Sequence, residues 1–262
     1  MLSSTTALQS SEVKRSLIMN LLSEKYSQEK ILVELQQEFA CKGYVKLPSL
    51  LNSEAFSFLQ AEVKRLEQFV TKRNFTMPGY ETPRLMSILG GRRILQESLT
   101  LWSLYSNYEV VKLIQAIIGG KIYPCLHGDE FMIMNCLLSN QATHGWHLDD
   151  TAYVLTLIFE APPVENGGLV EFVQGWREWC SSIGAAPEEK IKPAVEKARA
   201  ENLIQVKHHL PGDAYLLRAD QCLHRVTELV RENICRVAVS LAYEATPDPK
   251  YGFTATRLYS EI

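Results

Sequence analysis

The chain reads as α+β, with a jelly-roll, cupin-like β core and helices from the first part of the sequence packed on it. Three observations predict this. Apolar residues recur near helical spacing through the first third. After Ile122 the pattern changes to short β-rich runs broken by turn residues. The 262 residues, 46% of them hydrophobic, are enough for one elaborated barrel or sandwich with a substantial core. The expected layout is a single domain over 1–262, with a mainly helical part over 1–120, the β core over 121–246 and a C-terminal tail over 247–262.

Between Ser10 and Phe39, the residues Leu17, Leu21, Leu22, Ile31, Leu32, Leu35 and Phe39 recur among Glu, Lys and Gln as on an amphipathic helix. Gly43 to Leu47 alternates like a short strand. Asn52 or Ser53 is placed to cap a second helix running to Lys72, with Phe56, Leu59, Val63, Leu66 and Val70 on its apolar face. A third helix, Ser106 to Ile118, should end at Gly119-Gly120. Candidate strands follow at Phe131–Leu138, Tyr153–Phe159, Leu169–Val173, Ala214–Leu217 and Cys235–Tyr243, separated by Pro162-Pro163, Asn166-Gly167-Gly168 and Pro211-Gly212-Asp213. The charged stretch 187–202 interrupts them and reads as a solvated helical insertion.

Composition excludes some classes of function. A net charge of -3 and a pI of about 6.1 give no basic footprint for nucleic acid. No apolar run is long enough to span a bilayer, and the polar start lacks the layout of a secretory signal, so the expected location is cytoplasmic. The six cysteines form no C-x-x-C pair, which argues for reduced thiols rather than zinc or a disulfide framework.

The chemistry gathers at Thr143-His144-Gly145-Trp146-His147-Leu148-Asp149-Asp150. On extended backbone, side chains two apart point the same way, so His147 and Asp149 can reach one metal while Leu148 turns away. His224, on a separate segment after the Gly212-Asp213 turn, is the candidate third ligand. Two imidazoles and a carboxylate make the facial triad used for iron(II), leaving three adjacent positions for co-substrate and O2. A closed zinc site would want a fourth protein ligand. His-x-Asp alone arises readily by chance, so Arg236 matters. It places a cation in the apolar run Cys235-Arg236-Val237-Ala238-Val239, and burying a guanidinium is costly unless an anion pairs with it. The far carboxylate of 2-oxoglutarate would be that anion; the alternatives are an edge position or a protein acid such as Glu244.

The combination Glu81-Thr82-Pro83-Arg84-Leu85-Met86-Ser87 with Gly90-Gly91, Asp129-Glu130-Phe131, Thr143-His144-Gly145-Trp146-His147, Glu160-Ala161-Pro162-Pro163 and Asn166-Gly167-Gly168 resembles the BesD-like family of free-amino-acid halogenases and hydroxylases. The resemblance runs from about Gly79 to Tyr243. It implies a double-stranded β-helix core and a small cationic amino acid as substrate, free L-lysine or a close relative. Halogenating members carry glycine in place of the metal-binding acid, which frees a position for chloride. Asp149 stands there in this chain, so the resemblance implies the hydroxylase branch, with succinate and carbon dioxide as co-products. By position, Glu130, His144, Asp150 and Arg84 look like the family's substrate contacts. Arg84 and His144 suit the α-carboxylate, whereas Glu130 and Asp150 suit ammonium groups. The other readings are a solvated acid for Glu130, a turn residue for His144, a cap or ligand-orienting partner for Asp150 and a surface cation for Arg84. Trp146 is expected to be core, and the stretch from Tyr251 to Tyr259 either a lid or an ordinary docked tail. The rivals to hydroxylation are a halogenase of the same family, a cupin-like metal-binding protein without activity, and an oxygenase for a carrier-tethered amino acid. A homodimer is a further possibility.

Overall fold

The computed structural model describes residues 20–252 and 254–259. Residues 10–19, the start of the first expected helix, lie outside them. Helix α1, Glu29–Lys42, stops at Gly43, whose φ of 61° suits glycine and whose N–H donates to Phe39 O at 2.7 Å. Strand β1 follows at Tyr44–Leu47. Helix α2, Ser53–Leu66, begins where the Asn52 Oδ1 accepts from Ala55 N at 2.8 Å.

The second expected helix is too long. It closes in a 3-10 turn at Glu67–Phe69, and the chain then runs into β2, Thr71–Met77, which pairs with β3, Thr82–Gly90, from Thr71↔Ile88 to Met77↔Thr82. Partner strands, absent from any local pattern, decide this segment. Helices α3 (Gly91–Glu97), α4 (Leu99–Tyr105) and α5 (Tyr108–Ile118) come next. Asn107 caps α5 and Gly119 ends it with φ 72°.

The remaining strands are β4 (Tyr123–Pro124), β5 (Met132–Leu137), β6 (Thr143–His147), β7 (Tyr153–Glu160), β8 (Val170–Val173), β9 (Gln205–Lys207), β10 (Ala214–Arg218), β11 (Leu223–Val226) and β12 (Arg236–Glu244). Between β8 and β9 lie α6 (Trp176–Ser182) and α7 (Lys192–Ala200). The insertion is therefore not wholly solvated, since Ala194, Val195 and Ala198 face a core. Helix α8, Thr254–Tyr259, closes the described chain.

The strands join one curled antiparallel sheet in the order β1-β10-β7-β12-β5-β3-β6-β11-β8-β9, with β2 on β3 and β4 on β12. Two apolar clusters cover its outer sides. One joins α1, α2, α4 and α5 to β1, β10, β7, β12 and β5; the other joins α6 and α7 to β3, β6, β8 and β11. Strand β3 is the seam between the halves, and the side chains that face inward between them form the pocket. Among the described residues no helix is long and apolar enough to cross a membrane, and all six cysteines are free thiols.

Candidate active site

All eight residues singled out from the sequence line this one pocket: Arg84, Glu130, His144, His147, Asp149, Asp150, His224 and Arg236. Strands β6 and β11 are antiparallel neighbours, and His147 lies directly opposite His224 in their register. Cross-strand partners project to the same side of a sheet, so this pairing alone brings two imidazoles together. Their ring centroids are 4.2 Å apart. Asp149 follows just past the end of β6, its N–H tied to Ala219 O at 3.1 Å. One carboxylate oxygen lies 3.5 Å from His147 Nε2 and the other 3.7 Å from His224 Nε2. One ligand atom from each of the three residues lies within 4.8 Å of the others, so together they could hold a metal ion.

The other ring nitrogens fix which face each imidazole presents. His147 Nδ1 donates to Gly145 O at 2.7 Å and His224 Nδ1 to Cys222 O at 3.0 Å, which leaves both Nε2 atoms as acceptors aimed at Asp149. Burial, with His144 and His224 adding to it, holds the His147 pKa well below the usual histidine value. A neutral imidazole is the form that ligates. His144 stacks on His147 at 3.9 Å and is also driven down, by burial and then Arg84. Burial raises the Asp149 pKa, against a downward pull from His224 and Arg84.

Gly145 sits between the two histidines of β6, where a Cβ would lie 2.7 Å from Pro83 O on β3. Its own carbonyl accepts from both His147 Nδ1 and Arg84 Nη1, the latter at 3.3 Å. Trp146 points the opposite way into the second apolar cluster, with the Arg225 guanidinium 5.2 Å from its ring centroid, so it is core.

Arg84 is not a surface cation, being 0% exposed. Its Nη1 donates to Thr82 Oγ1, Pro83 O and Gly145 O, all neutral, while Nε and Nη2 are buried without a partner. Burial pulls its pKa down to about 10. Arg236 is likewise buried, and β12 is flanked by β5 and β7, so the edge position is ruled out. Nor does it pair with Glu244, whose carboxylate accepts from Ala152 N at the other end of β12. Among the described residues neither arginine has a carboxylate partner, and Arg236 Nη2 has none at all. Two buried guanidiniums in that condition fit a pocket that takes anions.

At the far end Glu130 and Asp150 each bury an oxygen without a partner. Burial, helped by Asp149 and Asp150, pushes the Glu130 carboxyl up to about 8, and at 7% exposure Glu130 is not a solvated loop acid. Gly252 lies against Asp150, where a Cβ would fall 2.9 Å from Oδ1. From there α8 runs along the pocket, with Thr254, Ala255 and Leu258 on its wall, so the tail does more than dock. Arg73 Nε holds α8 through Leu258 O at 2.8 Å. Tyr215, Thr156, Ser240 and Asn135 also line the pocket. The available signal was polar side chains at inward positions of otherwise apolar strands.

None of the curated protein sequences compared matches the chain. Several solved structures share its fold. The carbocyclase SnoK of nogalamycin biosynthesis aligns with a TM-score of 0.65 at 14% identity over 86% of this chain and 88% of that one. The epimerase SnoN, described in complex with Fe3+, alpha ketoglutarate and nogalamycin RO, aligns with a TM-score of 0.59 at 15% identity, over 83% and 84%. A Pseudomonas putida prolyl-4-hydroxylase aligns with a TM-score of 0.56 at 14% identity, over 82% and 99%. At such identities the likeness establishes the jelly-roll fold. Residues 26–260 match the family profile described as Halogenase D, and with a triad able to hold iron at the heart of that match, the chain belongs to this family of iron(II)- and 2-oxoglutarate-dependent oxygenases.

Proposed function

We propose that the protein hydroxylates an unactivated sp3 carbon of a free amino acid with a cationic side chain, L-lysine or a close relative. The observation that carries this reading is Asp149, whose carboxylate faces both Nε2 atoms. With a protein carboxylate in the shell, no position next to the two histidines is left for a halide. Iron(II) bound there with 2-oxoglutarate and dioxygen supplies an oxidant able to remove hydrogen from an unactivated carbon, with succinate and carbon dioxide as co-products.

The chain's own groups then divide the work. His147, Asp149 and His224 hold the metal, the two Nδ1 hydrogen bonds keeping both rings in register. Arg236 receives the far carboxylate of 2-oxoglutarate in its planar fork. Arg84 offers two unsatisfied nitrogens to the amino acid's α-carboxylate, with His144 beside it across the β3–β6 pairing. Glu130 and Asp150 receive ammonium groups, which restores partners to their buried oxygens. Helix α8 covers that end and limits water entry. A metal-binding protein without activity would give no reason to bury Arg84 and Arg236 unpaired in one cavity.

The test is turnover of a panel of free amino acids with iron(II), 2-oxoglutarate and chloride present. One cationic amino acid should give a product one oxygen heavier, with matching succinate. A chlorinated product would favour the halogenase reading, and failure of every cationic amino acid would overturn the substrate assignment.

A further inference from the structure

We propose that Arg225 and Glu171, on the outer face of the sheet, are positioning residues that hold a β-bulge at Gly145-Trp146, and that this bulge turns His144 into the pocket beside His147. Its effect on substrate deepens the amino-acid contact given to His144 and rests on that reading. His144 and His147 are three apart on β6, and side chains three apart on a regular strand point to opposite faces. Yet both line the pocket, with their rings stacked at 3.9 Å. The register explains why. His147 lies opposite His224 of β11, but Val226, two residues further on, lies opposite His144 where a regular ladder would bring Gly145. Gly145 and Trp146 therefore share the single partner Arg225, and the extra residue returns His144 to the inner face. A regular ladder would offer Gly145 to the pocket and turn His144 outward, to the side of Trp146.

The bulge is gripped from the outer face. The Arg225 guanidinium lies over the Trp146 ring, 5.2 Å from its centroid, so the residue opposite the bulge holds the larger bulged side chain by its π face. Arg225 is fixed in turn by Glu171, its partner across the β11–β8 pairing, whose Oε2 accepts from Nε at 2.8 Å. Glu171 is itself buried and takes a second guanidinium from Arg199 of α7, at 3.4 Å. A carboxylate this far from water and engaged by two cations is a fixed point, unlike an exposed ion pair. Through Arg199 the insertion between β8 and β9 braces the β6–β11 pair from behind. On the opposite edge of β6, Gly145 is pressed against Pro83 of β3, so the bulge is held from both sides. Neither Trp146, Arg225 nor Glu171 lines the pocket, so whatever they do to binding passes through the backbone of β6.

The test is a nuclear magnetic resonance spectrum of the metal-free full chain, carbon-labelled at the histidine rings, alongside kinetics of the iron(II)-loaded protein. The chain has six histidines, and His144→Gln identifies the signal of the ring stacked on His147. Arg225→Met should shift that signal while those of His127 and His208, which do not line the pocket, stay in place. It should also raise the amino-acid KM about fivefold, the scale of one ordinary hydrogen bond, and leave the KM for 2-oxoglutarate unchanged. Arg225→Lys, which can still pair with Glu171, should recover part of both effects. Glu171→Gln loosens the same guanidinium and should act in the same direction, should Arg225→Met not fold. Added to His144→Gln, Arg225→Met should raise the amino-acid KM no further, because it acts through His144. A merely structural role would lower the melting temperature with the His144 signal in place, and that result overturns the proposal. A shifted signal together with an unchanged amino-acid KM in His144→Gln upholds the bulge and removes His144 from the substrate contacts.

Discussion

At the metal end of the pocket each imidazole has its second nitrogen engaged by a main-chain carbonyl, His147 by Gly145 and His224 by Cys222. At the opposite end, where the amino acid is proposed to sit, Glu130, Asp150 and Arg84 each keep a buried polar atom with no partner. The first arrangement is complete before any ligand arrives, and its geometry is written into backbone two residues upstream of each histidine. The second is an unfinished set of hydrogen bonds that costs stability until something of matching charge enters. The pocket is therefore hydrogen-bonded in advance around the residues that could hold a metal and undersaturated at the end proposed to take the substrate.

The most severe way to test this contrast is to remove the carboxylate that completes the metal end. Asp149→Gly should cut hydroxylation by more than about a hundredfold, beyond what the loss of an outer partner produces, and should let chloride into the product. Product analysis reads both effects, and unchanged hydroxylation would remove Asp149 from the metal shell.

A milder test acts on the other end. Glu130→Gln should raise the KM for the amino acid by about tenfold or more while iron and 2-oxoglutarate affinities stay as they are. The pH behaviour follows from the same residue. Its pKa is raised to about 8, chiefly by burial, and the ionised form is the one that receives an ammonium, so the amino-acid KM should fall as pH climbs through about 8. In the ligand-free protein the sign for stability is the opposite. A carboxyl whose folded value lies above its unfolded one stabilises most at low pH, and that contribution is lost as pH rises through the folded value. Glu130→Gln should flatten both profiles. A KM profile in the variant that still follows the wild type would show that another group sets it.

The smallest effect is expected away from both ends. Asn52→Ala removes the cap of α2 and should cost about 1 kcal/mol in denaturant unfolding, with every affinity at the pocket unchanged. A shift in amino-acid KM would mean that the helical layer reaches the site more directly than its packing indicates.

How much of this could be read from the sequence depended on where function and folding use the same signal. The triad was legible because His147 and Asp149 are near neighbours in an extended segment, and because Arg236 interrupts an apolar run. Strand β3 was not, and the reason is physical. Its inward position at Arg84 carries a cation and its outward position at Pro83 an apolar ring, so the alternation that marks a half-buried strand is reversed at the residues that serve the pocket. Strand β6 could be read only as an extended segment without bounds, since two of its five residues are histidines and one is glycine. The end of α2 was overrun because Val70 fits the helical repeat, while the pairing of β2 with β3 is a long-range fact. Tyr215 was passed over because a tyrosine in an apolar strand looks like core until its place on the pocket wall is seen.

Gly145 carries a consequence for anyone who would alter this enzyme. It lies at the seam of the sheet, too close to Pro83 for even a methyl group, and its oxygen anchors one side chain from each end of the cavity, His147 and Arg84. Alanine there would pry the two walls apart and swing both side chains at once. Variant libraries aimed at new reactivity should accordingly diversify positions 144, 149 and 150 and spare 145, whose requirement comes from architecture and would hold whatever reaction the cavity were asked to perform.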